Sequence, residues 1–228
     1  METTREERAA LKPMEGFCLC TEQGMVACYR SAEDVINRKV RGAFVECGVA
    51  WGGMAACMAA AMQAHADRRK FHLFDSFFDG LPMAGPRDRT QPGAWGKVTD
   101  DKASQRDRLR PSGVGPAVPL KEVKRHMVEL YGVGDIAWQY HAGWFQDTLP
   151  KDSKVIGPIA LLHLDGDLYE STLVCLEHLY PLVSKGGLVI IDDYELDGCR
   201  EAVADYFKSY PPSLIPWADY GSVYMVKQ

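Results

Sequence analysis

This chain predicts an α/β fold: a mostly parallel sheet, helices on both faces, and an antiparallel hairpin at the end. Three observations carry that reading. Five short apolar runs each end near a small or acidic residue, and helical stretches separate them. The last two strand-like runs, 213–217 and 222–226, are joined by Ala218-Asp219-Tyr220-Gly221, too short for a crossover helix. The composition fits a globular protein: 228 residues, 46% apolar and 25% charged. One domain covering 1–228 is expected.

The elements follow in order. Ala43–Cys47 (AFVEC) leads through a glycine-rich turn into the Ala- and Met-rich stretch Gly53–Ala64. The run 71–74 stops at Asp75, and 136–140 is followed by Gly143. Ile159–Leu164 stops at Asp165 and precedes Leu173, Leu176, Leu179 and Val183, which keep helical spacing. The run 188–191 stops at Asp192 and Asp193, and a helix is expected over 199–210. Residues 82–119 break the rhythm. They are rich in Gly, Pro, Arg and Asp, with a helix beginning only near Leu120. A long insertion of this kind reads as a lid or acceptor-binding loop. Its mixed charges, from Arg87, Asp88 and Arg89 to Arg106, Asp107, Arg108 and Arg110, read as a solvated face.

Several function classes drop out early. A net charge of −5 lacks the basic footprint of a nucleic-acid binder. No stretch approaches the roughly 20 apolar residues that span a bilayer, so no membrane partner is expected. The N-terminus has no apolar signal core, and a cytoplasmic location is the expectation. The seven cysteines (Cys18, Cys20, Cys28, Cys47, Cys57, Cys175 and Cys199) are scattered and odd in number, which suits reduced, packing thiols. The Cys18-x-Cys20 pair has no second pair at metal-ligand spacing.

In open parallel sheets ligands gather at the carboxyl ends of the strands, where this chain places Glu46, Asp75, Asp165, Asp192 and Asp193. The turn after the first strand reads Glu46-Cys47-Gly48-Val49-Ala50-Trp51-Gly52-Gly53. A nicotinamide oxidoreductase would want G-x-G-x-x-G there to seat a pyrophosphate. An acid before G-x-x-x-G-G suits a cationic amino group instead, although a purely structural turn competes. Asp75 sits where an acid accepts hydrogen bonds from ribose hydroxyls; a helix N-cap is its plainer role. Together they favour a nucleoside with a positively charged amino-acid tail, and S-adenosylmethionine is the obvious candidate.

Asp165-Gly166-Asp167 and Asp192-Asp193 end two strands that one crossover makes neighbours. Converging carboxylates repel unless a cation or proton intervenes, and an oxygen-only set suits Mg²⁺. Separate helix caps and salt bridges are the competing reading. Trp144 and Phe145 could flank an adenine ring or pack as core. His163 reads as a core histidine, and Tyr169 as facing substrate or packing. A D-x-D metal-dependent nucleotide-sugar or phosphoryl transferase would use Asp165 and Asp167 but leaves Asp75 without a role. A non-catalytic nucleoside-binding protein is the other alternative.

The run HLDGDLYESTLVCLEHLYPLVSKGGLVIIDDY, with AGWFQDTLP and FDSFFDGLP upstream, resembles the macrocin O-methyltransferase family. ECGVAWGG, VPLKEVKRHMVELYG, GCREAVADYF and GSVYMVK follow its pattern, so the likeness runs from residue 25 to the end. The resemblance implies a Rossmann-like class I methyltransferase fold with a seven-stranded sheet. It implies an S-adenosylmethionine- and Mg²⁺-dependent enzyme acting on a hydroxyl of a small natural product, often a sugar. By the same likeness Glu46, Gly48, Asp75 and Ser76 hold the donor, and Gly143, Trp144 and Phe145 lie near its adenine. Asp165, Asp192 and Asp193 hold the metal, and Asp165 or Asp192 takes the substrate proton. The family often carries Trp-Arg where this chain has Ala50-Trp51, and Lys where it has Gln146. The assembly state stays open, a homo-oligomer included.

Overall fold

The computed structural model describes residues 3–89, 108–218 and 221–228. Its centre is a seven-stranded sheet: β1 (Ala43–Cys47), β2 (Lys70–Asp75), β3 (Ala137–Ala142), β4 (Ile159–Leu164), β5 (Val183–Ile191), β6 (Ile215–Pro216) and β7 (Val223–Val226). The order across the sheet is β3-β2-β1-β4-β5-β7-β6. Strands β1 to β5 pair in parallel, while β7 runs antiparallel to both β5 and β6. The mostly parallel sheet and its closing antiparallel pair match the expectation. The middle of the chain segment joining β6 to β7, residues 219 and 220, lies outside the described residues.

Alternation along the strands divides the core. Phe44, Phe71, Leu161 and Ile190 face one cluster, covered by α1 (Arg5–Leu11), α2 (Glu22–Asn37), α3 (Gly53–Ala64) and α4 (Leu120–Arg125). Val45, Phe74, Leu162 and Ile191 face the other, under α5 (Phe145–Asp152), α6 (Tyr169–Leu179) and α7 (Asp197–Tyr206). Both faces are therefore buried, as near-continuous apolar parallel strands require. Helix α4 runs on through His126–Leu130 in a wider turn, in which the Tyr131 N–H donates to the His126 carbonyl at 2.8 Å.

Some boundaries differ from the sequence reading. Helix α6 stops at Leu179, and Pro181 follows in a short turn, so Val183 opens β5 rather than extending the helix. Strand β5 begins before 188 because a register shift against β4 absorbs residues 184–187, with Gly186 at φ +80°. The expected helix over 199–210 is α7, from Asp197 to Tyr206, and the strand expected over 213–217 shrinks to two residues. No helix among the described residues is long and apolar enough to cross a membrane.

Candidate active site

The glycine turn after β1 is fixed from two sides. Gly48 adopts φ +90°, and its N–H donates to the Phe74 carbonyl at 2.9 Å. A Cβ on Gly48 would lie 1.8 Å from the Asp165 carbonyl oxygen, so only glycine fits where β1 meets β4. Ala50 sits in the left-handed region at φ +47°, where a non-glycine residue needs support. Asp75 supplies it: Oδ2 accepts from the Val49 and Ala50 N–H groups at 2.7 and 3.2 Å, and Oδ1 from the Phe77 N–H at 2.8 Å. A carboxylate has about four lone-pair sites, so these three amides leave one, beside which Ser76 Oγ lies 3.3 Å from Oδ1. Ser76 Oγ accepts from the Asp79 N–H at 3.1 Å and donates to its carbonyl. The Gly143 N–H donates to the Asp75 carbonyl at 2.9 Å, carrying the lacing to β3.

These strand ends form the floor of one cleft with two compartments. The larger, about 320 Å³, is lined by Gly48, Asp75 and the acids after β4 and β5. The smaller, about 50 Å³, lies between Ser76 and the Gly143-Trp144-Phe145-Gln146 run. They share Gly48, Asp75, Gly80, Leu81 and Asp165. Leu81, Val114 and Pro116, from the described ends of the 82–119 insertion and its approach, contribute to the walls. The shape suits an elongated ligand with a flat ring at the aromatic end.

Glu46 lies buried near the end of β1. It is 1% exposed, lies outside both cavity walls, and its Oε1 contacts His163 Nδ1 at 3.0 Å. Burial raises the Glu46 carboxyl despite that partner, whereas at His163 the Glu46 carboxylate outweighs burial and raises the imidazole. His163 is thus a buried partner rather than a base on the cleft wall. Glu46 Oε2 and His163 Nε2 are buried without a hydrogen-bond partner. A direct contact from Glu46 to a donor's ammonium rests on that free Oε2 alone.

The acids after β4 and β5 come together at the cleft, where Asp165, Asp167, Asp192 and Asp193 line one cavity. Ligand-capable oxygens of Asp165, Asp167 and Asp193 lie within 4.8 Å of one another. Asp192 lines the same cavity, but its Oδ1 accepts from Ser222 Oγ at 3.1 Å and it stands outside that triad. Asp167 sits at φ +54°, and its N–H donates to Asp193 Oδ2 at 3.0 Å. Burial and then neighbouring carboxylates raise Asp165 and Asp193 well above the usual range. Burial, Asp192 and Glu195 push Asp167 up to about 7. A hard divalent cation fits this all-oxygen set and would remove the repulsion.

The insertion's charges are not simply solvated. Arg87 pairs with Asp205, Arg89 with Glu201 and Arg108 with Glu170, which ties this segment to α6 and α7. Buried Asp88 accepts from the Tyr169 N–H at 2.8 Å and so caps α6. Arg87 lies 4.3 Å from the Tyr169 ring centroid, and the Tyr169 hydroxyl donates to Asp205 at 2.9 Å, so Tyr169 packs beneath the insertion. Arg106 and Asp107, with the rest of 90–107, lie outside the described residues. Among the cysteines, Cys28, Cys47, Cys57, Cys175 and Cys199 are buried as packing residues, while Cys18 and Cys20 are half-buried.

Sequence reasoning gave Asp167 a role only in the D-x-D transferase alternative, read Asp88 as part of a solvated face, and left Ser222 without a role. The D-x-D spacing was the available signal for Asp167. The other two depend on tertiary contacts that no local pattern announces.

The comparisons with known proteins agree with this geometry. The Macrocin-O-methyltransferase (TylF) family profile matches residues 1–224, reaching further upstream than the resemblance read from the motifs. An 8-demethyl-8-(2,3-dimethoxy-alpha-L-rhamnosyl)-tetracenomycin-C 4'-O-methyltransferase from Streptomyces olivaceus is 42% identical over 78% of this chain and 62% of its own. A demethyldecarbamoylnovobiocin O-methyltransferase from Streptomyces niveus is 38% identical over 76% of this chain and 61% of its own. The chain thus spans about three fifths of the length of these curated relatives. The solved O-methyltransferase NovP superposes with a TM-score of 0.72 at 36% identity, covering 90% of this chain and 80% of that one. The laced glycine turn, the acidic strand ends and the whole-length match lead to one conclusion: this chain is a class I methyltransferase-fold member of the macrocin O-methyltransferase family.

Proposed function

We propose that the chain is a divalent-metal-dependent O-methyltransferase that moves a methyl group from S-adenosylmethionine to a hydroxyl of a small natural product, a sugar hydroxyl among the candidates. The observation that carries this reading is the convergence of Asp165, Asp167 and Asp193 on the cavity also lined by Gly48 and Asp75. Donor and acid cluster would then share one enclosure.

The residues divide the work. Asp75 and the Gly48 turn orient the donor's ribose and tail, Ser76 shapes the bend beside them, and Trp144 and Phe145 flank the adenine. Glu46 supports this side through its free Oε2. Asp165 and Asp193 would hold Mg²⁺, with Asp167 or Asp192 completing the set. When bound, the ion stabilises negative charge developing on the acceptor oxygen. A carboxylate of the cluster accepts the hydroxyl proton; Asp167 joins Asp165 and Asp192 as a candidate because it faces the same cavity. The C–O bond forms as the C–S bond breaks, so alignment of the two reactants supplies much of the rate. Leu81, Val114 and Pro116 help exclude water from the cleft.

The test is transfer of labelled methyl from S-adenosylmethionine to a panel of hydroxylated metabolites, read by mass spectrometry. Turnover should need Mg²⁺ and stop with EDTA. Asp165→Asn should lower turnover at least 100-fold while S-adenosylhomocysteine still binds. Full EDTA-resistant turnover would remove the metal from the reading.

A further inference from the structure

Cys18-x-Cys20 lacks a second pair of ligands at metal-binding spacing in the sequence, and the fold supplies one from a distant element. Met54 and Cys57 occupy positions i and i+3 on α3, so their sulfurs share one helix face. Cys18 Sγ lies 4.0 Å from Cys57 Sγ, and Cys20 Sγ donates to Met54 Sδ at 3.1 Å. The Cys18 and Cys20 thiols also interact with each other, which links four sulfurs in the order Cys57, Cys18, Cys20, Met54. Cys28 stays outside the set, its thiol donating to the Met54 carbonyl at 3.6 Å.

Two glycines make the room. A Cβ on Gly53, the first residue of α3, would stand 2.4 Å from Cys18 Sγ; one on Gly24, in the first turn of α2, would stand 3.1 Å from the Cys20 Cβ. The two thiols are therefore seated against helix starts. Cys57 is fully buried, while Cys18 and Cys20 are half-buried. Access runs through a cavity of about 210 Å³ lined by Cys20 and Met54, with Leu19 and Trp217 beside them. The bond with Cys20 lowers the Cys18 thiol, but the Cys57 bond and burial outweigh it and raise the group; the Cys18 bond and burial both raise Cys20. Thiols that keep their protons are poor nucleophiles, which argues against an oxidation switch. A metal ion, by contrast, deprotonates a coordinating thiol outright.

The geometry points to a soft-cation site, built by Cys18, Cys20, Cys57 and the Met54 thioether, whose fitting ion is Cu(I). Thiolate and thioether sulfurs select Cu(I) over hard cations. Two sulfurs each about 2.3 Å from one tetrahedral ion stand roughly 3.8 Å apart, and the 4.0 and 3.1 Å separations bracket that spacing. Binding forms Cu–S bonds, breaks S–H bonds at two or more of the cysteines and sends those protons to solvent. Copper stays Cu(I) throughout, so no oxidant is required. Asp192 and Asp193 line the same cavity but offer hard oxygens, which suit Mg²⁺ instead. A bound Cu(I) would pin residues 18–20 to the start of α3, which follows the glycine turn.

The full chain, under anaerobic conditions and with saturating Mg²⁺, is titrated with Cu(I) against bicinchoninate. One Cu(I) per chain should bind and release at least two protons in weakly buffered solution. X-ray absorption should show an all-sulfur shell at about 2.3 Å. Cys18→Ser should weaken binding at least 100-fold, and the volume-conserving Met54→Leu at least fivefold. Cys175→Ala, which removes a buried thiol on the opposite face of the sheet, should leave affinity within twofold. Circular dichroism without the ion checks that each variant folds; if Cys18→Ser does not, Met54→Leu decides. Loss of all copper to bicinchoninate, oxygen or nitrogen in the shell, displacement by equimolar Zn²⁺, or affinity unchanged in Met54→Leu would overturn the assignment. Methyl transfer enters none of these readouts.

Discussion

Asp75 does two jobs with one carboxylate, and that sets what its replacement should do. Its oxygens hold the Val49, Ala50 and Phe77 amides while facing both compartments of the donor cleft. Asp75→Asn keeps the size but loses the charge and one acceptor, so S-adenosylhomocysteine affinity should fall at least tenfold by calorimetry, about 1.4 kcal/mol. At Gly48 the outcome should be structural. The methyl of Gly48→Ala meets the Asp165 carbonyl at 1.8 Å in a left-handed backbone, and urea denaturation should show a loss of about 2–4 kcal/mol. The acids behave oppositely. Asp165 is raised by burial and by its neighbours, so Asp165→Asn relieves the cost of holding an acid among like charges and should raise Tm in EDTA by about 2–4 °C. The same variant should lose any Mg²⁺-dependent rise in Tm that the wild type shows.

Helix α1 is short, and besides the buried Leu11 an ion pair fastens it. Glu7 Oε1 and Oε2 accept from Arg30 Nε and Nη2 at 2.6 and 2.9 Å, while Oε2 also accepts the Thr4 N–H at 2.7 Å. The Arg30 hydrogen bond holds the Glu7 carboxyl at about 2, below its ordinary 4.5. A depressed acid stabilises the fold above the unfolded value and loses that contribution as pH falls through the folded one. Glu7→Gln should therefore cost about 1–3 kcal/mol at neutral pH, with the difference from wild type shrinking between pH 4.5 and pH 2 in urea titrations. The same scale shows what was legible beforehand. The five parallel strands and Gly53–Ala64 stand out because apolar runs and small residues are local signals. The start of β5 was hidden, since Ser184 to Gly187 form a bulge that only pairing with β4 defines. Helices α1 and α2 lie upstream of the first apolar strand, where no strand pattern frames them. Asp165, Asp193 and Asp75 could be read as strand ends. The left-handed turn that brings Asp167 beside Asp193, and the Ser222 hydroxyl set against Asp192, could not, because both depend on tertiary placement.

At the scale of the molecule, the sheet order puts β1 and β4 at the centre and β5 beside them, so the acids after β4 and β5 fall next to the glycine turn of β1. Donor-side parts come from strands β1 to β3 and the turn into α5. A cation bound only by the folded acids should raise stability in proportion to the logarithm of its concentration. Scanning calorimetry across a Mg²⁺ series checks this; a flat response would count against the cluster as a metal centre. Another cavity is bounded differently, by Leu19, Cys20, Thr21 and Gly24 near the beginning of the chain and Trp217, Ala218 and Ser222 near its end, with Met54 between them. Those residues line one space with Asp192 and Asp193 while belonging to no strand of the parallel core. A grafting experiment could therefore exchange both as a matched cassette, leaving Gly48 and Asp75 untouched and giving laboratory evolution a compact pair of sites beside Asp192 and Asp193.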